Sequence, residues 1–230
     1  MCGRFVQSQS PNIYAEFFGA DIIKTEELKA SYNVAPTDPV YAIAEHDDQR
    51  ILGAFKWGLL PFWAQDRKMA ARNINARVET VAEKSSFRES FERRRCLIPA
   101  DGFYEWEVKP KGKLPHFIYT ADKRPMALAG LWASWKDPET GERVRTCTIL
   151  TGEPNDLVAP IHDRMPISLP RGLWSVWLDP ENHDTGALGD LLATLRKPDL
   201  AEHPVSTLVN KVQNNVPELI APLETGAVDL

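Results

Sequence analysis

The sequence Ala100-Asp101-Gly102-Phe103-Tyr104-Glu105-Trp106-Glu107 joins a turn signal to a strand pattern. Asp-Gly favours a turn, and the alternation beyond it places Phe103, Glu105 and Glu107 on one face of a strand. The same criteria predict strands at about 116–120, 125–135 and 143–150, separated by turns at 122–123 and 137–141. Strands therefore dominate the middle of the chain.

Helices are predicted towards the two ends of this strand-rich region. Ser10-Pro11 is typical of a helix start, and Gly19 of its end. Further helices are expected at about 82–94, 173–177 and 185–195, with a short one after Pro154. Strands are also predicted at 40–44 and 51–57 and an extended segment at 203–210, and a polar loop at 109–114. The pattern predicts a single mixed α+β domain over residues 1–230, with a peripheral tail from about 218.

The bulk composition is that of an ordinary globular protein. Of 230 residues, 43% are hydrophobic and 26% are charged, which suffices for a core. No apolar run approaches the ~18 residues of a membrane span, and no basic and apolar leader is present. Cys2, Cys96 and Cys147 are too widely spaced to indicate zinc or a disulfide framework. We therefore expect no metal, no membrane association and free thiols in a reducing cytoplasm.

Charge is distributed unevenly along the chain. The formal net charge is −5, yet residues 67–95 contain nine basic and four acidic side chains, a local charge of +5. Residues 181–230 contain eight acidic and three basic side chains, a local charge of −5. A basic centre suits an anionic ligand, although a solvated helix face explains part of it equally well.

The chain begins Met1-Cys2-Gly3-Arg4-Phe5. If Met1 is removed, Cys2 carries an α-amine with an ordinary pKa of about 8 beside a thiol of about 8.5, so both are partly deprotonated near neutrality. Such an aminothiol traps an aldehyde as a Schiff base and then closes a thiazolidine ring. It also suits a hydrolase in which the thiol is the nucleophile and the amine is the base. A cysteine of no special function is the remaining alternative.

An aromatic segment, Trp57-Gly58-Leu59-Leu60-Pro61-Phe62-Trp63, precedes the basic stretch. Core packing is the usual reason for such residues. Aromatic faces beside arginines also hold single-stranded nucleic acid, with stacking worth about 1–3 kcal/mol per base. Both interpretations remain open for this segment.

Three further segments carry groups suited to proton transfer or polar contacts. Alternation places Asn73, Asn75, Arg77 and Glu79 on one face of a strand. Glu105 lies between aromatic residues, whose apolar surroundings would raise the pKa of its carboxyl group towards neutrality. The sequence Pro160-Ile161-His162-Asp163-Arg164-Met165-Pro166 puts a histidine, the usual proton shuttle, in a proline-bounded loop.

Six motifs together resemble the SRAP (SOS-response-associated peptidase) family. They occur in the family's order: Met1-Cys2-Gly3-Arg4-Phe5, Tyr32-Asn33-Val34-Ala35-Pro36, Trp57-Gly58, Asn75-Ala76-Arg77-Val78-Glu79-Thr80, Asp101-Gly102-Phe103-Tyr104-Glu105-Trp106 and Ile161-His162-Asp163-Arg164-Met165-Pro166. The resemblance covers residues 1 to about 217. It implies one α+β domain with mostly antiparallel strands that form a barrel-like core, surrounded by peripheral helices.

The resemblance also implies a function. SRAP proteins recognise abasic sites in single-stranded DNA and bond to them covalently and reversibly, shielding the lesion during the DNA damage response. Met1 is removed, by the chain itself or by an aminopeptidase, and Cys2 forms a thiazolidine with the ring-opened deoxyribose. We accordingly expect a monomeric crosslinking enzyme with lyase-like Schiff-base chemistry and no cofactor, located in the cytoplasm and at the nucleoid during DNA damage.

The resemblance assigns roles to individual residues. The catalytic residues that match the family pattern are Cys2, Asn75, Glu105 and His162. Asn75 would position the nucleophile and sugar, Glu105 would transfer protons, and His162 would assist opening of the sugar ring. The residues expected to bind DNA are Arg4, Asn33, Pro36, Phe62, Trp63 and Arg77. Phe62 and Ser85 depart from the family pattern at positions that concern DNA affinity.

Two other classes of protein fit parts of the sequence. Class II glutamine amidotransferases, which are N-terminal-nucleophile cysteine amidohydrolases, also begin Met-Cys-Gly. The later motifs do not resemble that family, and glutamine hydrolysis gives the basic, aromatic segment no role. A non-covalent single-strand binder, in which Cys2 has no chemical part, is the third possibility.

Overall fold

The computed structural model describes residues 2–223, which form thirteen strands and four α-helices. The strands are β1 (Arg4–Gln7), β2 (Ile22–Lys24), β3 (Ser31–Val34), β4 (Pro39–His46), β5 (Gln49–Trp57), β6 (Asn75–Arg77), β7 (Arg95–Ala100), β8 (Gly102–Lys109), β9 (Gly112–Thr120), β10 (Met126–Lys136), β11 (Arg143–Gly152), β12 (Met165–Pro166) and β13 (Leu200–Pro204). The helices are α1 (Pro11–Phe18), α2 (Arg88–Arg93), α3 (Trp174–Leu178) and α4 (Thr185–Ala193).

The larger of the two sheets closes into a barrel. Its strands lie in the order β12-β11-β10-β7-β4-β5-β2, and a parallel pairing of β5 with β11 joins its two sides. Strands β11, β10, β7, β4 and β5 thus form a closed ring, in which the other neighbours pair antiparallel. Closure leaves these strands without an open edge. The predicted α+β class with a barrel-like, mostly antiparallel core is confirmed.

The smaller sheet brings the start of the chain to the middle of the fold. Its strands lie in the order β13-β9-β8-β1-β3, and all of its pairings are antiparallel. Strand β1 pairs with β8 so that Arg4 lies opposite Tyr104 and Phe5 opposite Phe103. This register places Cys2, just before β1, beside the central residues of β8.

The barrel strands pack against a different layer on each face. Along β4, Tyr41 and Ile43 join a buried cluster with residues of all four helices, whereas Val40 and Ala42 join a cluster with the smaller sheet. This is the two-residue alternation of a strand that is covered on both sides. Burial of each large apolar side chain contributes about 1.5–3 kcal/mol. Cys2 belongs to the second cluster, so the site forms between the two sheets.

Three of the predicted helices are present, one is shorter than predicted, and turns replace the fifth. Helix α1 is capped as predicted, since Ser10 Oγ accepts from the Ile13 amide and Gly19 ends the helix with a φ of 66°. Helices α3 and α4 are confirmed. The helix predicted at 82–94 begins only at Arg88, after serines whose side chains favour turns. The predicted helix after Pro154 is a series of turns.

The C-terminal part packs more closely than its sequence suggests. The predicted extended piece at 203–210 is partly strand β13, followed by a 3-10 helix over Thr207–Asn210. A second 3-10 helix, Pro217–Ile220, buries Leu219 fully against residues that include Val6 and Tyr104. The predicted tail beyond residue 223 lies outside the described residues.

The predicted polar loop at 109–114 is shorter than expected, because β8 continues to Lys109 and β9 begins at Gly112.

Within residues 2–223, no helix is both long and apolar enough to span a bilayer.

Candidate active site

The Cys2 side chain is buried where the two sheets meet. Its exposed fraction is 0%, and Sγ lies 3.6 Å from the carbonyl oxygen of Arg4. Burial raises the pKa of the Cys2 thiol far above its ordinary value, and the nearby Glu105 carboxylate adds to the rise. Burial therefore opposes the partial deprotonation that the ordinary pKa of the thiol predicts. A base must remove the thiol proton before the sulfur can react.

Asn75 fixes the position of Cys2. Strand β6 lies parallel to β11, with Asn75 opposite Ile149, and Asn75 Nδ2 donates to the Cys2 carbonyl oxygen at 2.7 Å. The amide oxygen Oδ1 is also buried and accepts no hydrogen bond from residues 2–223. An unsatisfied buried acceptor is costly. This one offers a contact to a substrate hydroxyl or amine beside Cys2.

Glu105 lies near the middle of β8 and is 2% exposed. Burial raises the pKa of its carboxyl group to about 7, and the charge of Asp163 acts in the same direction. Near neutral pH this carboxyl is therefore divided between its acid and its base forms. Such a group can both donate and accept a proton in one reaction cycle.

His162 occupies the loop between β11 and β12 and faces Glu105, with Nε2 4.0 Å from Oε2. Its Nδ1 accepts from the Arg164 backbone amide at 3.0 Å, and burial lowers the pKa of the ring. Asp163 Oδ1 also lies 2.9 Å from Nδ1, a contact that would favour a proton there. We assign the neutral form with the proton on Nε2, because the backbone amide needs the Nδ1 lone pair and Asp163 is 85% exposed.

Arg164 anchors the histidine loop. Its guanidinium forms two 2.8 Å hydrogen bonds to the Glu79 carboxylate and one of 2.7 Å to the Thr151 carbonyl oxygen. Paired contacts of this kind are rigid. The hydrogen bonds to Arg164 lower the pKa of Glu79. The loop therefore holds His162 in place without a regular helix.

The predicted polar strand face is only partly present. Strand β6 contains Asn75 and Arg77, but Glu79 lies in the following 3-10 helix, Val78–Thr80. Asn73 precedes the strand and donates through Nδ2 to the Leu59 carbonyl oxygen at 3.0 Å. The hydrogen bond of Asn73 to Leu59 and the paired contacts of Glu79 with Arg164 replace the expected alternation at the two ends of residues 73–79.

An open cleft of about 560 Å³ gives access to Glu105 and His162. Its lining residues are Glu105, Trp106, Lys113, His162 and Asn210. Glu105 and His162 were singled out from the sequence. Lys113 was not, because it lies in a segment expected to be a loop. Asn210 was not, because it reaches the cleft only through tertiary packing. No local signal marks either of them.

The aromatic segment divides between core and surface. Trp57 is fully buried, whereas Phe62 and Trp63 are 64% and 39% exposed. Gly58 makes the change of direction possible, since its φ is 127° and a Cβ would lie 2.5 Å from the Ala70 carbonyl oxygen. Phe62 and Trp63 line a second groove, beside Arg88. Core packing therefore holds for Trp57, whereas stacking on nucleic acid stays a prediction for Phe62 and Trp63.

The residues expected to bind DNA differ in accessibility. Arg77 is exposed and forms no ion pair with any described residue. Arg4 Nη1 donates to Asn33 Oδ1 at 2.8 Å and to the Val209 carbonyl oxygen at 2.9 Å. Asn33 itself is 2% exposed, and Pro36 is half-buried beside Thr37, whose φ is 76°. Their DNA contacts stay predictions.

Much of the basic segment is neutralised internally. Arg67, Arg93 and Arg94 form ion pairs with acidic side chains. Arg95 is 2% exposed and donates to backbone carbonyl oxygens, among them that of Trp177. The charge count of the sequence therefore overstates the positive surface. Among residues 2–223, no three His, Cys, Asp or Glu side chains are placed to hold a metal ion.

The comparisons with known proteins define the class of this chain. The family model described as SOS response associated peptidase (SRAP) matches residues 1–212. The chain belongs to the SRAP family.

Particular relatives extend over nearly the full chain. It is 43% identical to "Abasic site processing protein YoqW" of Bacillus subtilis, over 96% of this chain and 99% of the relative. It is 34% identical to "Abasic site processing protein YedK" of Escherichia coli, over 97% and 100%. A crystal structure of a protein from Bacteroides thetaiotaomicron superposes with a TM-score of 0.85 at 26% identity, covering 97% of this chain and all of that one.

Proposed function

We propose that this protein processes abasic sites in single-stranded DNA by covalent capture. The product is a thiazolidine that joins C1′ of the ring-opened deoxyribose to the α-nitrogen and Sγ of Cys2. The observation that carries the proposal is the position of Cys2, held by Asn75 beside a buried carboxyl whose pKa is about 7. The names of the family relatives support the same class of substrate.

Capture requires that Met1 be removed, because an amide nitrogen cannot form a Schiff base. Hydrolysis of the Met1–Cys2 bond consumes one water and frees the α-amine of Cys2. If the chain removes Met1 itself through its thiol, Cys2→Ala will retain Met1. Loss of Met1 from that variant would assign the removal to an aminopeptidase. The mass of the purified protein distinguishes the two.

The first chemical stage opens the sugar and forms the imine. Ring opening moves the C1′ hydroxyl proton to O4′, and the Nε2–H group of His162 stabilises the departing oxygen. The Cys2 amine then attacks the aldehyde. Glu105 in its acid form donates a proton to the carbinolamine oxygen, which leaves as water, and the product is a protonated imine. Asn75 Oδ1 is placed to accept a hydrogen bond from the sugar or the amine.

The second stage closes the ring. Glu105 is now a carboxylate and accepts the proton of the buried Cys2 thiol, whose raised pKa makes such a base necessary. The thiolate adds to the carbon of the protonated imine, whose nitrogen keeps its proton and becomes the neutral ring amine. Capture as a whole releases one water. The same steps in reverse release the DNA, so Glu105 serves both directions.

The strand is held outside the cleft by contacts of two kinds. Arg77 supplies positive charge to phosphates, and Phe62 and Trp63 supply exposed aromatic faces for bases. Pro36 contributes a rigid wall. The protein acts as a monomer on cytoplasmic DNA and at the nucleoid during DNA damage, where the adduct shields the lesion from strand cleavage.

The test is adduct formation with an oligonucleotide that contains one abasic site, followed on a denaturing gel. The wild-type protein should give a band that withstands denaturant, and Cys2→Ala should give none. Cys147→Ala is the matched control, because it removes another fully buried thiol and should still form the adduct. An adduct with Cys2→Ala would contradict the proposal. Wild-type protein that forms no adduct but hydrolyses glutamine would establish the amidohydrolase instead.

A further inference from the structure

A C-terminal segment forms one wall of the cleft. Residues 207–215, here called the strap, pass over β1 and β3 and are tied down by side chains from those strands. Arg4 Nη1 donates to the Val209 carbonyl oxygen at 2.9 Å, and Nη2 donates to that of Asn210 at 3.4 Å. The Arg4 guanidinium is thus engaged with the protein itself.

Asn33 holds the strap at further points. Its Nδ2 group donates to the carbonyl oxygens of Val209, Lys211 and Asn214 at 3.2, 3.1 and 2.9 Å. At the end of the strap, Asn215 Oδ1 accepts from the Tyr32 backbone amide at 2.7 Å. These contacts leave the strap little freedom to move.

The strap places the Asn210 side chain at the cleft in a defined orientation. Trp106 Nε1 donates to Asn210 Oδ1 at 2.7 Å. An indole N–H can only donate, so the amide oxygen must face Trp106. The Nδ2 group is then left as a donor at the cleft, and it makes no hydrogen bond to residues 2–223.

Lys113 lines the same cleft from β9. It is exposed and has no ion-pair partner among the described residues. The one carboxylate that lines the cleft, Glu105, is deeply buried, and Asp163 lies beside His162. An oriented amide donor and an ammonium that forms no ion pair with a described residue suit a phosphate oxygen at the same rim.

We propose that Asn210 and Lys113 bind a phosphodiester of the captured strand next to the abasic sugar, and that Arg4 and Asn33 are positioning residues that hold the strap. This inference rests on the proposed function, because it assumes that the abasic sugar of single-stranded DNA enters the cleft while the flanking strand lies along its rim. It gives Arg4 a role through Asn210 in place of a phosphate contact of its own.

The binding test uses an undamaged, fluorescently labelled single-stranded oligonucleotide, so that its result does not depend on adduct formation. Asn210→Ala and Lys113→Ala should each raise the half-saturating DNA concentration about five- to twentyfold. Lys113→Ala should also reduce the slope of log affinity against log salt by about 0.7, the value for one phosphate contact on a single strand. Lys111→Ala is the matched control, since Lys111 is exposed in the same hairpin and lies outside the cleft.

Equal half-saturating concentrations for Lys113→Ala, Asn210→Ala and Lys111→Ala would overturn the inference. Failure of the wild-type protein to form an adduct, with these binding differences intact, would instead refute the covalent chemistry alone.

The positioning role is tested with Arg4→Met, alone and combined with Asn210→Ala. If Arg4 acts through the strap, the double variant should bind as weakly as Asn210→Ala, and Arg4→Met should keep the wild-type salt slope. Trp106→Phe, which removes the orienting N–H together with part of the aromatic surface, should weaken binding about threefold. A salt slope reduced by about 0.7 in Arg4→Met would show a direct phosphate contact and contradict the positioning role.

Discussion

Two glutamates on β8 occupy the same face of one strand, two residues apart, and behave in opposite ways. Glu105 is buried, and burial raises the pKa of its carboxyl group to about 7. The Glu107 side chain is 23% exposed and lies 2.5 Å from Lys109 Nζ and 3.1 Å from His116 Nε2. The Lys109 hydrogen bond, followed by that of His116, lowers the pKa of Glu107.

The difference shows that surroundings, not residue type or strand face, decide which carboxyl can transfer protons. His116 is the cross-strand partner of Glu105 on β9, yet its ring lies between Glu107 and Glu202, 2.6 Å from the latter. These contacts favour the anionic form of the Glu107 carboxyl group near the end of β8. The buried position is occupied by Glu105, whose carboxyl group can gain and lose a proton near neutral pH.

The largest expected effect is a difference in the rate of adduct formation between variants of the two glutamates. Glu105→Gln keeps the size of the side chain and removes its proton transfer, so adduct formation should slow by about 10²- to 10⁴-fold. Glu107→Gln should change the rate less than threefold. The measurement is single-turnover adduct formation at saturating abasic oligonucleotide. Similar losses in both variants would make Glu105 a structural residue.

The same experiment across pH sharpens the assignment. Wild-type protein should show an inflection in the adduct rate near pH 7, where Glu105 changes between its two forms. The inflection should persist in Glu107→Gln and disappear in Glu105→Gln. Its survival in Glu105→Gln would assign the titration to another group.

A second comparison concerns stability, where the two variants should differ in sign. The pKa of Glu105 is higher in the folded chain than its ordinary 4.5, so the folded state binds the proton more tightly and stability falls as pH rises from about 4.5 through 7. Glu105→Gln removes this pH-dependent loss of stability, because a glutamine side chain does not ionise. At pH 8 the variant should be more stable than the wild type by up to roughly 3 kcal/mol, from about 1.4 kcal/mol per pKa unit.

Glu107→Gln should be less stable than the wild type at pH 8. The pKa of Glu107 is lowered on folding, so its stabilisation is present above its ordinary pKa and is lost as pH falls through the lowered value. Urea unfolding at pH 5 and pH 8 measures both variants. A loss of stability at pH 8 in Glu105→Gln would contradict the account of its burial.

The smallest effect on capture is expected from His116→Gln. The substitution weakens the contacts to Glu107 and Glu202 and should reduce stability by about 1.5–3 kcal/mol, the range for hydrogen bonds to charged groups. The adduct rate should stay within about threefold of the wild type, because neither contact reaches the reacting atoms. A loss comparable with that of Glu105→Gln would join His116 to the proton-transfer machinery.

Local patterns predicted the parts of the fold and the site that depend on neighbouring residues. Alternation placed Glu105 on a strand beside aromatic residues, and Ser10 and Gly19 marked the ends of α1. The burial of Cys2 could not be predicted, because it depends on the packing of one sheet against the other. The same holds for Asn210, which reaches the cleft only because side chains of β1 and β3 hold the strap.

The resemblance to the SRAP family supplied the roles that local patterns leave open. Family membership and the barrel-like fold are confirmed, whereas the roles of Cys2, Asn75, Glu105, His162 and the DNA-binding residues stay predictions.

The most direct test of the central claim is the intact mass of the protein before and after incubation with an oligonucleotide that contains one abasic site. The account predicts that the protein lacks Met1 and gains the mass of the oligonucleotide less one water, on a peptide that begins at Cys2. An adduct on any other residue, or a processed amino terminus that gains no mass, would contradict it.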